Sequence, residues 1–169
     1  MVTFGGDDAK NMNPKILKLL NEKYPELNKN VIIGRAYQNV EEIKKEADKN
    51  TNLIYYPDAE KMKEVILNSD IAISAGGQTL YELARVGVPT IGICVAGNQL
   101  GNIKEWTRIG FLEYAGWYNK GNILERIKNG IEYLKDLKIR KNKFKITKKF
   151  IDGKGSSRIS NKLLKERIL

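Results

Sequence analysis

The stretch from Ser69 to Cys94 limits the possible folds more than any other part of the chain. Ile71 to Ser74 is a short apolar run and Ala75-Gly76-Gly77 a sharp turn. Gln78 to Val86 is a helical pattern with Leu80, Leu83 and Ala84 on one side. Gly87 closes that helix, Pro89 blocks its continuation, and Thr90 to Cys94 reads as a second buried strand. Strand, diglycine turn, helix and strand make a βαβ unit. Its glycines fall where a helix opens, so unpaired N–H groups and the positive end of the helix dipole favour an anion there. Without side chains, the turn also lets a phosphate approach the backbone. We read it as half of a phosphate site.

A second passage of the same kind stands at the start of the chain. Val2 to Phe4 reads as a strand and Gly5-Gly6 as a turn. Asn13 is placed to cap a helix, Pro14 suits the first helical position, and Ile16, Leu17, Leu20 and Tyr24 form its apolar stripe. Two such turns can grip opposite sides of one phosphate group if they lie side by side. Asp7 and Asp8 are awkward neighbours for an anion, because a carboxylate repels it unless a cation intervenes. Capping and turn formation account for both more simply. A buried parallel strand rarely opens a natural chain, so Met1 is expected to mark a domain boundary.

The remaining elements alternate. Asn30 to Ile33 and Asn52 to Tyr56 read as strands, Val40 to Ala47 and Ala59 to Leu67 as helices. After Cys94 come a polar turn over Val95 to Gln99, a helix over Leu100 to Ile109, a last strand over Phe111 to Ala115 and a long amphipathic helix over Asn122 to Leu137. Strict β-α alternation predicts a parallel sheet covered on both faces. Right-handed crossovers make it doubly wound, with ligands at the carboxyl ends of the strands, where every glycine-rich turn falls.

Composition narrows the chemistry. The chain has 169 residues and no histidine, which removes His-dependent triads, His metal sites and the commonest general base. The single cysteine, Cys94, lies inside a strand and reads as a small buried hydrophobe rather than a nucleophile. No apolar run approaches the roughly 18 residues of a membrane span and no signal-peptide pattern opens the chain, so a cytoplasmic location is expected. Neither a metal nor a cofactor is expected.

The net charge of +10 is unevenly placed. Residues 1–137 carry 18 Lys+Arg against 18 Asp+Glu, whereas residues 138–169 carry 12 against 2. This divides the chain into a body, 1–137, and a basic helical tail, 138–169, packed on that body or reaching beyond it. The tail suits an anionic partner or is simply a solvated helix face. Its apolar residues, Phe144, Ile146, Phe150, Ile159, Leu163 and Leu164, argue for packing and against a nucleic-acid-binding module.

Several polar residues have two readings. Thr79 and Glu82 carry the spacing of a capping box, yet Glu82, one turn into the helix, could equally accept hydrogen bonds from a ribose diol. Asn98 and Gln99 reach a sugar hydroxyl or close a turn. Neither diglycine matches G-x-G-x-x-G or G-x-x-x-x-G-K-[ST], which disfavours dinucleotide binding and ATP hydrolysis of those kinds.

The run Ser74-Ala-Gly-Gly-Gln-Thr-Leu-Tyr-Glu-Leu-Ala-Arg-Val-Gly-Val-Pro89 resembles the nucleotide-sugar motif in the C-terminal half of GT-B glycosyltransferases, including the peptidoglycan N-acetylglucosaminyltransferase group. Together with Val2 to Asp8, Asn98-Gln99 and Ile151 to Arg158, the chain is similar to UDP-sugar hydrolases of pseudaminic acid and polysaccharide biosynthesis. The resemblance implies a three-layer Rossmann-like domain, one GT-B half with a C-terminal helical extension, whose partner is an N-terminal half in the same or a separate chain. It implies a diphosphate held by Gly5, Gly6, Gly76, Gly77, Gln78 and Thr79 and a ribose held by Glu82. Uracil would be framed by Pro57, Asp58 and Met62, and Asn98 and Gln99 would lie on the sugar side. A histidine of the N-terminal half is the family's candidate for activating water, so no catalytic base carries over to this chain.

Overall fold

The computed structural model of the chain describes residues 1–166; residues 167–169 of the basic tail lie outside the described residues. Six strands form one parallel sheet: β1 (Val2–Thr3), β2 (Lys29–Ile33), β3 (Thr51–Tyr55), β4 (Ala72–Ala75), β5 (Thr90–Cys94) and β6 (Leu112–Trp117). Their order is β3-β2-β1-β4-β5-β6. The chain runs outward from β1 to β3, returns across the sheet to β4, and runs outward again to β6. Strand order therefore reverses between β1 and β4, the place where such sheets open a crevice at their carboxyl ends.

Both faces are covered. Helices α1 (Met12–Lys23), α2 (Val40–Glu46) and α6 (Ile123–Leu134) bury Ile16, Leu17, Ile43, Ile127 and Leu134 against Val31, Ile33, Ile73, Ile91 and Ile93. On the other face, α4 (Thr79–Val86) and α5 (Leu100–Arg108) bury Leu80, Leu83, Ile103 and Trp106 with Phe111 and Leu112. Helix α3 (Ala59–Leu67) joins that face through Val65 and Ile66. Strand residues alternate between the two cores, Ile73 and Ala75 to one and Ala72 to the other, as a period of two requires. Each fully buried Ile or Leu contributes about 1.5–3 kcal/mol, which sets register firmly.

Three local expectations are corrected. Helix α1 starts at Met12 rather than after Asn13; Asn13 is wholly buried and its Nδ2 donates to the Tyr37 hydroxyl at 2.9 Å. The long helix over Asn122 to Leu137 breaks, because Asp136 takes extended backbone and its carboxylate accepts the Lys138 amide at 2.7 Å, opening α7 (Leu137–Thr147). The last strand runs two residues further than expected and carries a bulge: Gly92 pairs with Tyr114 and Ile93 with Gly116, so Ala115 is extra. Gly116, at φ +120°, supplies the backbone that only glycine takes easily.

The tail divides. Helix α7 is anchored by Lys143 and Thr147, both buried, and the Phe144 ring fills the space beside Gly87 at the end of α4. Helix α8 (Gly155–Glu166) buries nothing: Ile159, Leu163 and Leu164 are exposed, so the packing expected from their apolar character does not occur within the described chain. Among the described residues, no helix is long and apolar enough to cross a membrane.

Candidate functional site

The two glycine turns meet. Thr3 pairs with Ser74, so the Gly5-Gly6 and Gly76-Gly77 turns leave the carboxyl ends of two neighbouring strands about 4.8 Å apart. On one side Val2 pairs with Val31, which brings Gly34 to the same level; on the other Ala75 pairs with Ile93, which brings Cys94 there. Four strands thus end in one row across the reversal.

Each turn is held from behind. A side chain on Gly34 would lie 2.4 Å from the Gly6 carbonyl oxygen and 2.7 Å from that of Gly5. The Ala36 amide donates to the Gly6 carbonyl at 3.0 Å. A side chain on Gly76 would strike Ile103 of α5 at 2.5 Å. Gly6 and Gly77 differ. Neither has left-handed φ, and a Cβ on either would meet nothing within 4 Å. Packing and backbone geometry therefore give no reason for glycine at these two positions. Close approach of a ligand to the backbone does.

Some amides of the second turn are spent within the fold and others are left without an acceptor. Gln99 Oε1 accepts from Gly76 and from Val95, each at 3.2 Å, tying the ends of β4 and β5. The amides of Gly77, Gln78 and Thr79 have no acceptor among the described residues, and α4 opens at Gln78 with no side-chain cap. Of the two readings of Thr79 and Glu82, the capping box does not form. Glu82 is exposed, one turn into α4, and makes no ion pair among the described residues.

The two aspartates part company. Asp8, buried and at φ 42°, accepts the Met12 and Asn13 amides at 2.9 Å and the Asn39 side-chain amide at 2.9 Å. It caps α1 from four residues upstream, and its charge is spent inside the loop. Burial pushes its carboxyl above the ordinary value, against the donors that pull it down. Asp7 remains exposed, its Oδ1 accepting only the Ala9 amide at 3.4 Å.

A cavity of about 330 Å³ lies between the ends of β1 and β5, lined by Gly5, Gly6, Asp7, Lys10, Asn98 and Gln99. Asn98 is exposed and makes no hydrogen bond among the described residues; the amide nitrogen of Gln99 is likewise without a partner there. Lys10 is the cationic residue of that lining, with Nζ 5.1 Å from the centre of the Tyr118 ring. Cys94, the last residue of β5, is buried, its S–H donating to the Ala96 carbonyl at 3.3 Å, and burial pushes the thiol up from its ordinary value. A cavity of about 320 Å³ at the opposite, amino end of the strands, beside Met1, Lys29 and Asp70, is remote from every glycine turn.

Pro57, Asp58 and Met62 lie at the carboxyl end of β3. Asp58 caps α3, accepting the Lys61 amide at 2.8 Å, and Met62 packs against the cluster that contains Leu80 and Leu83 of α4. Tyr55 and Tyr56 stand exposed beside them with ring centres 6.1 Å apart, and Tyr56 holds φ 48°, costly for a non-glycine residue. Sequence reasoning passed over this aromatic pair, Lys10 and Asn102. The Asn102 side-chain amide donates to the carbonyls of Gly76 at 2.8 Å and Gly77 at 3.3 Å. The signal for Asn102 was its position one turn after Gln99, at the opening of α5. Among the described residues, no group of three His, Cys, Asp or Glu could hold a metal ion.

Comparison with known proteins agrees with this architecture. Over 97% of its length the chain superposes on Acinetobacter baumannii MurG with a TM-score of 0.74 and 19% identity, a likeness of fold. It is 31% identical over 113 residues, 67% of the chain, to a Helicobacter pylori protein described as a pseudaminic acid cytidylyltransferase and UDP-2,4-diacetamido-2,4,6-trideoxy-beta-L-altropyranose hydrolase. It is 29% identical over 94 residues, 54% of the chain, to an uncharacterized protein of Methanocaldococcus jannaschii. These matches span 20% and 19% of the two relatives and 48% of the MurG chain, so the chain corresponds to one part of each longer protein. Residues 1–151 match the glycosyltransferase family 28 C-terminal domain, which takes in both glycine turns, all six strands and α7, and it is to this family that the chain belongs.

Proposed function

We propose that the chain binds the nucleotide of a UDP-sugar and forms the C-terminal half of a GT-B enzyme that hydrolyses a nucleotide-activated amino sugar. The observation that carries the reading is the pair Gly6 and Gly77, in the turns that follow the neighbouring strands β1 and β4 at the strand-order reversal, each lacking a side chain where the fold leaves open space. Unpaired amides at Gly77, Gln78 and Thr79 sit beside them at the positive end of α4.

In this reading Gly5, Gly6, Gly76, Gly77, Gln78 and Thr79 surround the diphosphate, and Glu82 accepts the ribose hydroxyls. Pro57, Asp58 and Met62 frame the uracil, and Asn98 and Gln99 face the sugar. Charge developing on the departing diphosphate is met by amides fixed before the reaction begins, an electrostatic effect that needs no histidine in this half. The attacking water and its base belong to the N-terminal half. Hydrolysis is favoured by the stretch shared with the Helicobacter pylori protein, whose description includes a UDP-sugar hydrolase. Transfer of the sugar to an acceptor is the second reading, favoured by the family's description as glycosyltransferases.

Calorimetry tests the binding claim. UDP is expected to bind weakly, because half of the cleft is outside this chain, and Gly77→Val is expected to abolish the heat. No heat at millimolar UDP, with Gly77→Val indistinguishable, would overturn the proposal. Joining the chain to its N-terminal half and assaying free sugar against sugar transferred separates the two reactions.

A further inference from the structure

The amides of the second glycine turn are left without acceptors for a reason that lies on α5 and the turn before it. A trans peptide points its C=O and the following N–H in opposite directions. The Gly76 carbonyl is held by Asn102 Nδ2 at 2.8 Å, so the Gly77 N–H is turned away from α5. The Gly77 carbonyl lies 3.3 Å from the same nitrogen, so the Gln78 N–H is turned the same way. One residue earlier, the Gly76 amide is consumed by Gln99 Oε1. Gln99, just before α5, and Asn102, in its first turn, thus decide which backbone groups of the turn are spent and which remain.

The Gly77 carbonyl also accepts the Leu80 amide at 3.3 Å, so the peptide after Gly77 is held from both sides, whereas among the described residues the Gly76 carbonyl has Asn102 alone. Gly77 has no packing contact for a side chain and a flexible backbone, and α4 carries no capping side chain. Without Asn102 the peptide between Gly76 and Gly77 is free to rotate, and its N–H can leave the cleft. The close fit of Gly76 against Ile103 and Gln99 brings α5 near enough for so short a side chain to reach both carbonyls.

We propose that Asn102 is a positioning residue that aims the Gly77 and Gln78 amides at the diphosphate, with Gln99 holding the preceding amide out of the site. The inference rests on the UDP-binding reading and deepens it. Asn102 itself touches no ligand. Its loss should weaken phosphate recognition without changing recognition of the nucleoside.

The test compares UDP with uridine on the 169-residue chain and on Asn102→Leu, which keeps the volume and removes the donor. UDP affinity is expected to fall about tenfold, equivalent to about 1.4 kcal/mol, while uridine affinity stays within about twofold. Asn102→Gln, which keeps a donor on a longer stem, should recover part of the loss. A folded Asn102→Leu with unchanged UDP affinity would overturn the positioning role while leaving the binding reading intact. Equal affinity of the native chain for UDP and uridine would instead remove the diphosphate site itself. Should Asn102→Leu fail to fold, ¹H–¹⁵N spectra of the native chain decide. The Gly77 and Gln78 amides are expected to shift with UDP and not with uridine, and their silence with UDP would overturn the inference.

Discussion

Lys143 Nζ lies 2.5 Å from Glu113 Oε1 and donates to the Gly110 carbonyl at 2.9 Å, with its side chain 6% exposed. An ammonium group so deep persists only because both partners meet it, one charged and one at the end of α5. It joins α7 to β6 and to the turn that precedes it. Lys143→Met is expected to cost about 2 kcal/mol, since a hydrogen bond to a charged group is lost and Glu113 can turn partly to water. For a chain of this size that lowers the thermal midpoint by about 4–8 °C. A midpoint within about 1 °C of native would show that the contact contributes nothing.

Gly76 and Gly77 should respond oppositely to alanine. At Gly76 the new methyl meets Ile103 at 2.5 Å and overpacks the join between β4 and α5, costing about 1–3 kcal/mol. At Gly77 it enters open space, so stability should stay within about 0.5 kcal/mol while UDP affinity falls. Urea unfolding and calorimetry on both variants read the split. Equal stability losses would remove the distinction between the two glycines.

Asp8 and Asp48 should titrate on opposite sides of the ordinary aspartate value of about 3.9. Burial raises Asp8, so the folded chain holds that proton more tightly than the unfolded one; its contribution favours folding at low pH and is lost as pH rises through the raised value. Asp48 is lowered by its hydrogen bonds with Lys29 and Thr51. Its contribution is present above about 3.9 and is lost as pH falls through the depressed value. Carboxyl ¹³C titration should find Asp8 above and Asp48 below; the reverse order would contradict both environments.

Helix α8 should be dispensable for folding. It buries no side chain, and the ion pair between Arg158 and Asp152 is solvent-exposed and screened, so it contributes little. A chain ending at Lys154 is expected to melt within about 2 °C of the full chain, and α8 amides should exchange nearly unprotected in the native chain. A drop beyond about 5 °C would mean that the helix packs on the domain.

Much of this architecture was legible in advance, for identifiable reasons. Helix α3 and strand β5 fall on their predicted bounds because Pro57 and Asp58 open one and Pro89 precedes the other. The break at Asp136 was hidden, since Leu134 and Leu137 continue the apolar stripe of α6 and only the backbone at Asp136 reveals a new start. The capping role of Asp8 had been foreseen in kind, but its reach to Met12 and Asn13, leaving Asn13 to the Tyr37 hydroxyl, depends on a left-handed turn that no spacing announces. Asn102 escaped notice because its partners are main-chain carbonyls 25 and 26 residues away, which leave no mark in a linear pattern.

Gly34 carries a last consequence. Because its bare α-carbon rests against the Gly5 and Gly6 carbonyls, the floor of the hollow is laid down when the sheet forms. Freezing that segment is a cost of folding, already met before any guest arrives, so association there should be quick and should demand little rearrangement. Any bulk added at Gly34 would press on the Gly5 and Gly6 carbonyls from behind and shift the floor itself.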